Sequence, residues 1–191
     1  MTTVYKLTDQ DLKTYGGFQW EVGKKYTTSG QGSLCGPGWL HAYEHPLLAV
    51  FHNPGGANIV NPRLFEASGG NILRDGQMKC GVTELTLIRE IPLPAVSVEH
   101  VVRYAIGCAL AVYRDARFVA WATAWLDGSN REEAAAWSAA AAARSAAQAA
   151  WEAWSAAAQA AWEAAREARS IDLIVIAEWA ITEQPRRPRE N

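Results

Sequence analysis

The sequence has no excess of charge: 18 Lys and Arg stand against 20 Asp and Glu, a net of −2 over 191 residues. Such a balance offers no field to collect a phosphate backbone, so general nucleic-acid binding is not expected. Cysteine is scarce. Cys35, Cys80 and Cys108 are odd in number, widely spaced and free of any C-x-x-C pair, which argues against a disulfide framework or a zinc ribbon and fits a reducing, cytoplasmic setting. Long apolar runs are missing too: no stretch reaches the roughly 18–20 strongly hydrophobic residues of a membrane span. Met1-Thr2-Thr3-Val4-Tyr5-Lys6 lacks the charged start and apolar run of a signal peptide, so export is not expected. From Arg131 to Arg169 there is no glycine, no proline and no β-branched residue, and 21 of the 39 positions are alanine.

What remains divides into two unlike halves, an α+β head over residues 1–95 and a helical region over 96–183, with a flexible tail at 184–191. In the head, short apolar runs bounded by Gly and Pro predict strands at Thr3–Thr8, Gly17–Val22, Trp39–Tyr43, Arg63–Ala67 and Thr83–Ile91. Pro46 opens a short helix that Asn53-Pro54-Gly55-Gly56 stops. Helical spacing then predicts segments at about 97–113, with Ser97 as N-cap, and at 115–126, closed by Asp127-Gly128. These helices and the strands hold most of the large apolar residues, so residues 1–128 are expected to fold without the rest.

The Ala-rich segment 131–169 predicts one very long helix, about 58 Å at 1.5 Å per residue. Residues 146–153 recur as 157–164, an 11-residue repeat that keeps Trp151 and Trp162 on one face. Its smooth alanine face contributes little burial by itself, so a homo-oligomer or a tightly packed hairpin is expected. Residues 171–182 read either as a final helix or as a late strand; Ile171, Ile174, Val175 and Trp179 keep the helical spacing.

No motif carries a specific chemistry. His41-Ala42-Tyr43-Glu44-His45 has the inverted zinc-protease spacing, but on a strand its two imidazoles lie about 13 Å apart, and Pro46 disfavours helix at His45. No metal and no cofactor are expected. Gly30-Gln31-Gly32 and Gly36-Pro37-Gly38 lack the residues that complete a phosphate loop. The head does concentrate aromatic and basic residues: Tyr5, Lys6, Trp20, Trp39, His41, Tyr43 and Arg63 are the candidate ligand-binding set, with rings for stacking and Arg63 for phosphate. Core packing explains such a set equally well.

Tyr5-Lys6, Gly17-Phe18-Gln19-Trp20-Glu21-Val22-Gly23-Lys24 and Leu34-Cys35-x-x-Gly38-x-x-His41-Ala42-x-x-x-Pro46-Leu47 together resemble an uncharacterised family of small domains common in phages and prophages. Arg63-Leu64-Phe65-Glu66-Ala67 and Cys80–Ile91 extend the likeness, and the Ala- and Trp-rich tail resembles those of phage members. The resemblance implies a viral origin and a life in the host cytoplasm, not a reaction. The order of the opening strand, the strand ending near His41 and the Pro46–His52 helix is also similar to the half-core of ADP-ribosyltransferase-like domains. That likeness implies an NAD-using enzyme with a late catalytic acid, for which Glu84 and Glu90 are candidates. The leading expectation is a phage accessory protein, a counter-defence module that binds a nucleotide-type small molecule or a host protein. The alternatives are the NAD-using transferase and an assembly component joined through the Ala-rich helix.

Overall fold

The computed structural model describes residues 1–53, 58–75, 79–131 and 171–182. Strands fill the first half and helices the second, the α+β order expected. The strands are β1 (Thr2–Thr8), β2 (Lys13–Thr14), β3 (Phe18–Gln19), β4 (Lys25–Thr27), β5 (Leu40–Ala42), β6 (Arg63–Gly69), β7 (Ile72–Asp75), β8 (Lys79–Val82) and β9 (Glu84–Ile91). The helices are α1 (Pro46–His52), α2 (Val98–Val112), α3 (Ala116–Leu126) and α4 (Leu173–Ala180). Apart from Arg131, the long helix expected over 131–169 lies outside the described residues, as does the tail over 184–191.

The strand pairing closes on itself. β6 pairs with β1 on one side and β9 on the other. β7 continues β6 beyond Gly70-Asn71 and pairs with β8, which passes through Thr83 into β9. β8 pairs with β5, and Tyr43, just past β5, bridges back to Tyr5 of β1. Every pairing in this circuit is antiparallel, and a closed circuit leaves few free edges. Its interior is filled by Val4, Ala42, Phe65, Ala67, Cys80, Val82, Leu85 and Leu87, joined by Trp20.

Two expectations about strands need correction. The run Gly17–Val22 is a strand only at Phe18–Gln19: Gly16 and Gly17 take φ of 70° and 75°, a left-handed turn, and Trp20 leaves the ladder to enter the core. β7 was not expected, and β8 falls in the Cys80–Ile91 strand of the family likeness, which breaks at Thr83; together they complete the circuit.

α1 starts as expected, with Pro46 in the first turn and His45 as N-cap, its Nδ1 accepting from Leu47 N. One side of α1 sets Ala49 over Leu7 and Leu64 on the outside of the strands. Its other side, Leu47, Leu48 and Phe51, packs against Tyr104 of α2 and against Ile176, Ala177, Trp179 and Ala180 of α4. Residues 173–180 are therefore helix, as the spacing favoured, and they share a core with the head. Phe51 and Tyr104 stack with centroids 4.4 Å apart. Ser97 caps α2 in a capping box whose reciprocal partner is His100. Asp115 caps α3, which packs on α2 through Ile106, Phe118, Ala122 and Trp125. Among the described residues no helix is long and apolar enough to cross a membrane.

Candidate functional site

β1 alternates Val4, Lys6 and Thr8 towards the interior with Tyr5 and Leu7 outside. Across the seam to β5, Tyr5 and Tyr43 exchange backbone hydrogen bonds of 2.7 and 2.9 Å, but this bridge is isolated. An antiparallel ladder would next pair Leu7 with His41. Instead, the ammonium of Lys6 donates to the carbonyl oxygen of His41 at 2.6 Å. A side chain thus takes an acceptor that a longer ladder would use.

Lys6 Nζ lies 5.3 Å from the centroid of the Trp20 ring, whose Nε1 donates to Thr14 Oγ1 at 3.0 Å. Among the described residues Lys6 has no carboxylate partner. Burial is the dominant influence, pulling its ammonium down from 10.5 to about 8. Cys80 faces the same interior, and burial pushes its thiol up to about 12, so it supplies no counter-charge near neutrality. The result is a half-buried cation set among apolar groups, one carbonyl and one indole face.

Phe18 and Tyr26 extend Trp20 outwards as a trio of rings with centroids 4.9 to 5.3 Å apart. Phe18 is 42% exposed and Trp20 only 2%, so the trio runs from solvent to the amine. Phe18 was missed as a site residue, and Tyr26, one of the aromatic residues concentrated in the head, was left out of the candidate set. The signal that could have found Phe18 is the spacing Phe18-x-Trp20, which puts both rings on one side of an extended chain.

The other expected residues have different surroundings. Trp39, His41 and Tyr43 alternate on the face of β5 opposite Leu40 and Ala42. Trp39 Nε1 donates to Gly32 O at 3.1 Å and His41 Nε2 donates to Leu34 O, so both rings tie the preceding loop onto β5. Desolvation moves the His41 pKa down, and the charges of Lys79 and Lys6 add to that. The contact requires glycine at position 81, where a Cβ would come within 2.9 Å of Trp39 Cβ. Tyr43 packs towards α1, 6.1 Å from the His52 ring, and burial raises its pKa.

Arg63 stands apart, opposite Thr8 at the far end of β1. Its guanidinium grips Glu90 through Nε at 3.1 Å and Nη2 at 2.6 Å, and reaches Gln10 O at 3.3 Å. The structure therefore brings Lys6, Trp20 and the His41 backbone together. Tyr5 and Tyr43 form the seam beside them, and Trp39 and Arg63 lie elsewhere. His41 and His45, the two imidazoles of the zinc-like spacing, are each engaged with backbone.

An open cleft of about 500 Å³ lies where β6–β7 and β8–β9 both bend, lined by Met1, Thr2, Gly70, Asn71, Ile72, Thr83 and Glu84. Glu84 pairs with Lys25 at 2.9 Å. Apart from Glu84, considered only as a late acid, these residues carry no sequence signal beyond the bend itself.

No curated protein and no solved structure matches the chain. A family model does match residues 2–99, which span every strand and α1. The chain belongs to that family, described as a domain of unknown function (DUF7666).

Proposed function

We propose that the chain is a binding module for an anionic, nucleotide-type ligand, with the ammonium of Lys6 as its charged contact and the Phe18–Trp20–Tyr26 rings as its stacking surface. The observation that carries this reading is a half-buried lysine with no carboxylate partner among the described residues, set against an aromatic cluster whose outer ring, Phe18, is exposed. An anion would complete that environment. Arg63, the first choice for phosphate from sequence, is already satisfied by Glu90. The NAD-using alternative needs an available acid, and Glu84 and Glu90 are ion-paired to Lys25 and Arg63. A phage protein acting in the host cytoplasm as counter-defence is the biological form of this proposal, and it rests on the sequence resemblance alone.

Calorimetric titration of the full chain with mono-, di- and cyclic nucleotides at pH 7 tests the reading. Wild type should bind at least one of them, and Lys6→Met should weaken that binding by about 1–3 kcal/mol, the worth of a charge-assisted hydrogen bond. If the wild type binds none, the nucleotide reading is abandoned in favour of a protein partner.

A further inference from the structure

α4 is separated from α3 by the longest interval between described elements. It sits on α1 and α2, where Ile176, Ala177, Trp179 and Ala180 complete the cluster of Leu47, Leu48, Phe51 and Tyr104. The seat is shaped for it: a Cβ at Gly107 would come within 2.7 Å of Ile176 Cγ2 and 3.0 Å of Trp179 Cζ3. α4 runs antiparallel to α2, since Arg103 Nη1 donates to Thr182 O at 2.8 Å while Gly107, one turn further along α2, faces Ile176 and Trp179. Ile171 therefore lies towards the C-terminal end of α2, against the same cluster.

The chain leaves the helices at the other end of α2. Arg131 is tied to its first turn through Glu99 at 2.9 Å, and its guanidinium lies 4.9 Å from the ring centroid of Trp125. From Glu99 to Ala111 is about 18 Å along the helix axis. Between these two ends stand residues 132–170, with no glycine, proline or β-branched residue among them. The continuous helix that this sequence predicts spans about 58 Å, roughly three times the gap. A single chain joins the two ends only by breaking that helix and turning it back, and the residues that break helices are missing.

From this mismatch we infer that α4 is exchanged between two copies of the chain. Each copy passes residues 132–170 across to the other and seats its α4 on that copy's α1 and α2. Exchange preserves every contact of α4, so no burial is sacrificed. The alanine-rich faces, with Trp151 and Trp162 repeating along one side, suit two such segments laid antiparallel at close approach.

Gly107→Cys combined with Ile176→Cys places two thiols across the seat at a separation that a disulfide can span. After oxidation, denaturation without reductant should leave this double variant at twice the mass of one chain, and the wild type at the mass of one. A double variant that also runs as one chain would show α4 seated on its own copy and overturn the inference. Two measurements keep the test open if that variant fails to fold. The wild type at micromolar concentration should sediment as a dimer. Inserting Gly-Pro-Gly between Ala149 and Ala150 lets the segment turn back, and should raise the dimer dissociation constant about tenfold or more. A monomeric wild type, or a dimer whose affinity the insertion leaves unchanged, would equally refute exchange.

Discussion

Replacing Lys6 by Met tests whether its ammonium is held at a cost. The Met side chain follows the same apolar path but carries no charge, so the two proteins differ mainly in one titrating group. A fall from 10.5 to about 8 corresponds to about 3 kcal/mol between the charged and neutral forms in the fold. Because the folded value lies below the unfolded one, the unfolded chain binds more protons between pH 8 and 10.5. Stability from this group therefore rises with pH across that window, is fully present above 10.5, and is lost as pH falls through 8. At pH 7 the variant escapes the burial cost but gives up the contact with Trp20, worth about 0.5–2 kcal/mol, and leaves His41 O without its donor. These terms oppose one another, so the two proteins should differ little at neutral pH. The swing is the decisive quantity: from pH 7 to 10.5 the wild type should gain about 2–3 kcal/mol relative to Lys6→Met. The Cys108 thiol and the Tyr43 phenol, both raised by burial, destabilise both proteins as pH climbs past 9 and cancel in the difference; the Cys80 thiol, also raised by burial, is drawn down by the Lys6 charge and is therefore raised further in the variant. Urea unfolding followed by tryptophan fluorescence at half-unit steps gives the two curves. Parallel curves would show that Lys6 is solvated in the folded protein, and the proposed anion contact would lose its basis.

Two further outcomes follow from the packing. Gly81→Ala places a methyl group against Trp39 and Leu34 and should destabilise by about 1–3 kcal/mol, with the loop before β5 exchanging its amides faster than in the wild type. Truncation after Gly128 removes α4, whose Ile176 and Trp179 are 4% and 8% exposed against α1 and Tyr104. Losing them costs about 5 kcal/mol of apolar burial, comparable with a whole domain's stability. Scanning calorimetry should then find no cooperative melt for residues 1–128, against the expectation from sequence; a sharp transition would show that the head is independent of α4.

The helices were legible because their signals are local. Pro46 at a first turn, Ser97 as a cap and Asp127-Gly128 as a stop each act within four residues, and all stand where the spacing put them; Asp115, expected as the first residue of its helix, is its cap. β1, β6 and β9 were legible for the same reason. β7 was not, since Gly69-Gly70-Asn71 and Asp75-Gly76 flank it with turn formers and nothing local shows that β8 is its partner. Trp20 illustrates the limit more sharply: its neighbours predict strand, but the interior has room for an indole, and Thr14 supplies the acceptor that lets its N–H go inside. The site divides along the same line. Sequence identified aromatic and basic types, and five of the seven residues do meet around the seam of β1 and β5. Their importance, however, depends on partners. Arg63 looked available because Glu90 is 27 residues away, and Lys6, though in the candidate set, was not ranked above it because a missing carboxylate leaves no mark in a sequence. An unpaired, partly buried charge is defined by what does not surround it, and only a closed fold determines that; this is why Lys6, rather than Arg63, becomes the residue on which the binding proposal turns.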